Sequence, residues 1–202
     1  KEIIIVNDAS VDNTEKKIRE FIKTTKNKKI KNFNFKKNRG KGKAVEYGLE
    51  KSEGKIILLV DADLQESVVE SDKMIKKMIS NNKDLVIAVM AIRGGGFGFV
   101  LKSVDFFLYL LTKKKMLAPL SGQRAIKKEL LSQMCPLANG YALEFGMDLY
   151  ILKNDIDYEE VNCNFSHDIT TKNLSGFKHR AKQLIDITNL FLKELFRSGL
   201  SD

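Results

Sequence analysis

The 202-residue sequence predicts an α/β fold, a mostly parallel sheet sandwiched by helices, on three observations. Short unbroken apolar runs, EIIIV at 2–6, KIILLV at 55–60 and DLVIAV at 84–89, have the look of strands covered on both faces. Segments of helical apolar spacing separate them, so strand and helix alternate along the first half of the chain. Polar loops follow the strand ends, which is where sheets of this kind gather their ligands.

Each element has its own signal. After 2–6, helical spacing runs over 12–24 at Ile18, Phe21 and Ile22, and Asp12 or Asn13 is placed to cap it. IKNFNF at 30–35 alternates like a strand, and residues 43–51, beyond Gly40 and Gly42, read as a helix. The strand 55–60 precedes a helix over 67–80 with Met74, Ile75, Met78 and Ile79 inward, and 84–89 is the next strand. The second half is less regular. RGGGFG at 93–98 is a loop, 99–111 a helix, 123–126 a short strand, 143–154 a helix, 157–163 a strand and 174–197 a long amphipathic helix. With no repeat, low-complexity tract or linker, 1–202 reads as one domain, in which 1–92 would hold the donor and 93–202 the acceptor.

Composition excludes little. Cys135 and Cys163 have no zinc spacing and read as reduced thiols of a cytoplasmic protein. No apolar run approaches the roughly 20 residues needed to span a bilayer, and no leader precedes the first strand. The net charge of +9 would attract any anion, yet the lysines are spread among glutamates and no aromatic-studded basic motif appears. A nucleic-acid partner is therefore not expected.

Three loops carry chemistry. NDASVDNT at 7–14 fits either a helix cap or a carboxylate that holds a base or ribose. NRGKGKA at 38–44 sets two glycines around Lys41 before a helix, which allows close backbone approach to a phosphate, without Walker A spacing. DAD at 61–63 is the sharper signal. Two carboxylates at the mouth of a rigid strand call for a cation, and a hard divalent metal that bridges a diphosphate supplies one, unless the acids only cap the next helix.

In this order VNDASVDNT, NRGKGKA, LLVDADLQ and PLSGQRA resemble the family-2 inverting glycosyltransferases of the glycosyltransferase A fold, over roughly residues 1–170. The tail 161–183 is similar to bacterial members of cell-wall glycan synthesis and to the glucosyl-3-phosphoglycerate synthase group. The resemblance implies a nucleotide-sugar donor, UDP- or GDP-linked, a sugar, lipid-linked or small-molecule acceptor, and Mn²⁺ or Mg²⁺. Carried over, Asp8 and Ser10 would contact the base or ribose, and Gly40 and Lys41 the diphosphate. Asp61 would touch the ribose or a metal-bound water, Ala62 would contact the donor, and Asp63 would ligate the metal with His167. Ser121, Gly122 and Gln123 would line the acceptor side. Glu144 would be the carboxylate near the acceptor, with Asp148, one turn on, its rival or both merely exposed helix acids. His179 reads as a surface or packing residue.

The departures also imply something. Family members begin with one more, central strand, so the chain reads as N-terminally incomplete. The QxxRW motif of processive enzymes is absent, which argues against polymerisation. Asp168 stands where phosphoglycerate users place a basic residue, which weakens that acceptor. The rival classes are a nucleotidyltransferase and a basic nucleic-acid or membrane-surface protein. Two further expectations concern mobile or exposed parts. The four glycines of RGGGFG would make a lid, with Arg93 near the acceptor or a phosphate. The broad stripe of 174–197 would pack on the core, on a second subunit, or on an anionic membrane at the inner face.

Overall fold

The computed structural model describes residues 1–90, 98–166 and 174–198. Among the described residues six strands and seven α-helices alternate, except that two helices follow one another late in the chain. β1 (Ile3–Asn7), α1 (Thr14–Thr25), β2 (Ile30–Asn34), α2 (Lys41–Lys51) and β3 (Ile56–Leu59) come first. A 3-10 turn at Gln65–Glu70 then leads into α3 (Ser71–Ser80) and β4 (Leu85–Met90). α4 (Gly98–Thr112), β5 (Arg124–Lys127) and α5 (Lys128–Gln133) follow, and α6 (Leu143–Lys153), β6 (Tyr158–Cys163) and α7 (Leu174–Ser198) complete the order.

The strands form two sheets. β1 and β2 pair in parallel, Ile3 opposite Ile30 through Asn7 opposite Asn34. The larger sheet runs β3-β5-β4-β6. In it β4 and β6 are parallel, whereas β5 is antiparallel to both its neighbours, with Leu58 opposite Ala125 and Val86 opposite Ala125. The parallel sheet expected from sequence is thus interrupted by one strand. β3 and β4 are joined through a helix and keep one direction, as such crossovers require. β5 arrives only after α4 and enters the slot between them from the opposite end. The two halves of the sequence consequently interlock strand by strand.

The main core lies between the larger sheet, α4, α6 and α7. Leu85, Ile87, Ile126, Phe145 and Ile151 are all fully buried in it. α6 buries Leu143, Phe145, Met147, Leu149, Ile151 and Leu152, because it is wedged between neighbours rather than laid on a surface. A second cluster, with Met74, Met78 and Cys163, fills the opposite face under α3.

One apolar stripe lacks cover and one inward assignment is corrected. α1 buries no residue and Phe21 is 52% exposed. It rests on the narrow β1–β2 pair, too small to cover a full helix face. Ile79 is 66% exposed. At 3.6 residues per turn it sits about 120° away from the Met74–Met78 line that faces the sheet. Ile187 and Phe191 of α7 are buried, whereas Ile185, Leu192 and Phe196 are exposed, so only part of its apolar stripe serves the core.

Candidate active site

Asp8 follows β1 and is caught by the loop ahead of α2. Its Oδ1 accepts the Arg39 N–H at 2.7 Å and its Oδ2 the Gly40 N–H at 2.8 Å, while Asn38 Nδ2 donates to its carbonyl at 3.3 Å. The carboxylate therefore organises the start of α2 rather than capping α1, and each oxygen keeps a further lone pair for a ligand. Ser10 is exposed, with its N–H on Asn7 Oδ1 at 3.1 Å. Gly40 has φ +88°, a conformation that glycine adopts without strain.

Gly42 answers a different need. A Cβ there would stand 2.4 Å from the Ala138 carbonyl oxygen, so only glycine lets α2 lie against the segment that leads into α6. Glu46 fixes the contact by accepting the Leu137 N–H at 2.7 Å. This packing brings together residues 103 positions apart: Lys41 Nζ donates to Glu144 Oε1 at 2.8 Å and to Asp61 Oδ1 at 2.7 Å. Burial works against the Lys41 ammonium, but the Glu144 and Asp61 carboxylates outweigh it and hold its pKa above the usual lysine value. Lys41 is a cation through the neutral range.

Asp61 is held from its other side as well. Gln123 Nε2 donates to its Oδ2 at 2.7 Å, and the Asp61 N–H donates to Gln123 Oε1 at 2.9 Å. A Cβ on Gly122 would lie 2.6 Å from that same Oδ2. Ser121 is buried and gives its hydroxyl to the Ala88 carbonyl at 2.8 Å. The side chains of Ser121 and Gln123 are therefore engaged in scaffolding, and Gly122 is the member of the trio that lines the cleft. That cleft is walled by Lys41, Asp61, Gly122, Arg124 and Glu144 against Val45, Leu59, Leu143 and Met147. It draws on both halves of the chain.

Arg124 was not singled out by its sequence pattern, and it proves central. It is fully buried on β5, with Nη2 on Asp148 Oδ1 at 2.7 Å and Nε on the Ser121 carbonyl at 2.8 Å. Asp148 Oδ2 accepts the Leu120 N–H at 2.9 Å. Leu120 sits at φ +63°, a left-handed conformation costly for a branched side chain, and the ion pair pins the turn on both sides of it. Burial pushes the Asp148 carboxyl up, against the pull of Arg124 and the Leu120 N–H. Asp148 is thus no exposed helix acid. It shares a face with Glu144, but one turn deeper, where α6 is covered by β5, and it takes the structural role while Glu144 meets the cleft. The missed signal is the arginine that opens RAIK, a charge at the head of a buried strand that demands a buried partner.

Ala62 and Asp63 are exposed just beyond Asp61. The 3-10 turn after them is tied to the end of β6: Asn164 N–H donates to Glu70 Oε2 at 2.9 Å and Ser166 N–H to Ser67 Oγ at 2.9 Å. His167 follows Ser166 in sequence but, like Arg93 and the RGGGFG loop up to Phe97, lies outside the described residues. Among the described residues no three acids, histidines or cysteines cluster as a metal cage. The donor chemistry nonetheless fits a hard cation that takes one or two carboxylates and completes its shell with phosphate oxygens and water. Asp63, exposed at a strand mouth, offers such an oxygen.

The profile of "Glycosyl transferase family 2" matches residues 1–134. An uncharacterized protein of Methanocaldococcus jannaschii is 30% identical over 201 residues, covering 90% of this chain and 85% of that one. The dolichyl-phosphate beta-glucosyltransferase of Dictyostelium discoideum is 45% identical over 62 residues, 31% of this chain and only 19% of that protein. Among solved structures, glucosyl-3-phosphoglycerate synthase from Mycobacterium tuberculosis, in complex with Mn²⁺, UDP-glucose and phosphoglyceric acid, superposes with a TM-score of 0.70 at 24% identity. That match covers 95% of this chain and 69% of that one. The chain belongs to glycosyl transferase family 2, and it is a glycosyltransferase.

Proposed function

We propose that the chain transfers a sugar from a nucleotide-diphosphate-sugar, UDP-linked in the first instance, to an acceptor hydroxyl or phosphate presented at Glu144. The observation that carries this is the Lys41 ammonium lodged between Asp61 and Glu144 beside an exposed Asp63. Two carboxylates at the floor of a partly apolar cleft accept hydroxyl hydrogen bonds from a sugar and fix its orientation. Lys41 keeps the two acids from repelling each other, and its third N–H is left for an anionic oxygen of the donor. Asp8 and the Gly40 turn border the same end of α2, where backbone N–H groups favour a diphosphate.

Asp63, with His167 as a second ligand, would hold a divalent cation. Such an ion supplies charge neutralisation to the departing diphosphate. Glu144 is the cleft carboxylate that would take the proton of a hydroxyl acceptor, since Asp148 is committed to Arg124. Gly122 sets the floor under Asp61 by leaving room where any side chain would collide.

Titration calorimetry with UDP, GDP, UDP-glucose and GDP-mannose, with and without Mn²⁺, tests this. UDP compounds should bind in Mn²⁺ and weaken at least tenfold in EDTA or on Asp63→Ala, a change of about 1.4 kcal/mol. Binding that ignores both chelation and the substitution would remove the metal from the site. Failure of every nucleotide to bind would remove the donor class.

A further inference from the structure

α4 is apolar nearly all round, carrying only Lys102 and Asp105 as charges over Gly98–Thr112. One side is accounted for: Val100, Val104 and Leu108 are buried in the core. The other side is not. Phe99 is 71% exposed, Phe106 60%, Tyr109 46% and Leu110 38%, and Leu117 just beyond the helix is 79% exposed. A solvated helix face is normally polar, and a contiguous apolar patch marks a contact.

What surrounds the patch identifies the contact. Lys113 and Lys115 place their ammonium groups 5.6 and 5.8 Å from the centre of the Tyr109 ring. With Lys102 they give three cations around the apolar face, against the single acid Asp105, whose carboxyl partial burial pushes up. A tyrosine capped by lysines, next to exposed phenylalanines, suits a boundary between hydrocarbon and anionic headgroups. The rings and the leucines enter the acyl region, and the long lysine stems carry their charges out to phosphate. Two copies of this face would instead set like charges against each other in a two-fold contact. The patch also continues onto α7. Phe106 lies 6.1 Å from Phe107, which stacks on Phe191 at 4.1 Å, and Leu192, Leu195 and Phe196 further along α7 are exposed too.

We infer that the exposed face of α4, ended by Lys113 and Lys115, docks the enzyme on an anionic lipid surface. It goes beyond the donor and acceptor proposed above and stands whichever sugar is moved. No helix among the described residues is long and apolar enough to cross a membrane, so the contact is interfacial.

The chain contains no tryptophan, so Tyr109→Trp supplies a single reporter at the centre of the patch. Its emission should shift to the blue with phosphatidylcholine vesicles containing a third phosphatidylglycerol, and stay unchanged with phosphatidylcholine alone. In co-sedimentation, F106E/L110E should lose at least tenfold of the anionic-vesicle binding, and K113E/K115E should lose most of it. UDP binding and the melting curve should be retained in both. Wild-type protein that ignores anionic vesicles, or variants that bind as tightly as wild type, would overturn the inference. So would light scattering that finds a dimer which F106E/L110E splits, because the occupant would then be a second copy. Should F106E/L110E fail to fold, the lysine pair and the tryptophan reporter decide alone.

Discussion

Removing the Asp148 carboxylate should damage the protein far more than removing any surface acid. Arg124 and Asp148 are both 0% exposed, so Asp148→Ala leaves a guanidinium buried without its counter-charge and the Leu120 N–H without its acceptor. Breaking a buried pair from one side costs about 3–5 kcal/mol. Set against a typical stability of about 5–15 kcal/mol, this is a large share. For a chain of this size it corresponds to a fall of roughly 6–20 °C in Tm at about 2–4 °C per kcal/mol. The double variant Arg124→Met/Asp148→Leu removes both charges and keeps apolar volume. It should cost only about 2 kcal/mol, because what remains lost are the bonds to Leu120 and to the Ser121 carbonyl. Urea unfolding followed by circular dichroism, on wild type, both single variants and the double, gives the full cycle. A single-variant loss below about 1 kcal/mol, or a double variant equal to the sum of the singles, would refute the buried pair as the support of this turn.

Three other outcomes follow from the geometry. Gly122→Ala puts a Cβ 2.6 Å from Asp61 Oδ2, so Asp61 must leave its place between Lys41 and Gln123. Donor affinity should fall while stability drops by about 1–3 kcal/mol, and unaltered calorimetry would mean Asp61 need not hold its position. Lys41→Met leaves Asp61 and Glu144 facing each other without a cation, and should weaken UDP-sugar binding at least tenfold, about 1.4 kcal/mol. Unchanged binding would remove Lys41 from the donor site. Glu2 is lowered from 4.5 to about 2, first by its hydrogen bond from Lys31 and then by the Glu53 N–H. A depressed carboxylate stabilises the fold above its unfolded pKa and loses that contribution as pH falls through its folded one. The stability gap between wild type and Glu2→Gln should therefore be constant above pH 4.5 and close toward pH 2; a gap that persists at pH 2 would contradict the shift.

Local pattern determined much of this protein. Alternating apolar runs fixed the α/β class and nearly every element to within a residue or two, because burial on both faces of a strand and on one stripe of a helix leaves a period in the sequence. The same locality set the loops at Asp8, Gly40–Lys41 and Asp61 beyond strand ends, where sheets of this kind gather their ligands. Tertiary structure alone decided the rest. The direction of β5 depends on which slot remains after α4, and no residue within Arg124–Lys127 encodes that. The different fates of Glu144 and Asp148 depend on which turn of α6 β5 covers, a matter of depth and not of spacing. Gly42 and Gly122 look like ordinary loop glycines until Ala138 and Asp61 arrive beside them from 96 and 61 positions away in the chain. Lys41 and Arg124 gained their partners in the same way. A charge in a sequence declares that it needs a counter-charge; only the folded chain says which one comes within reach.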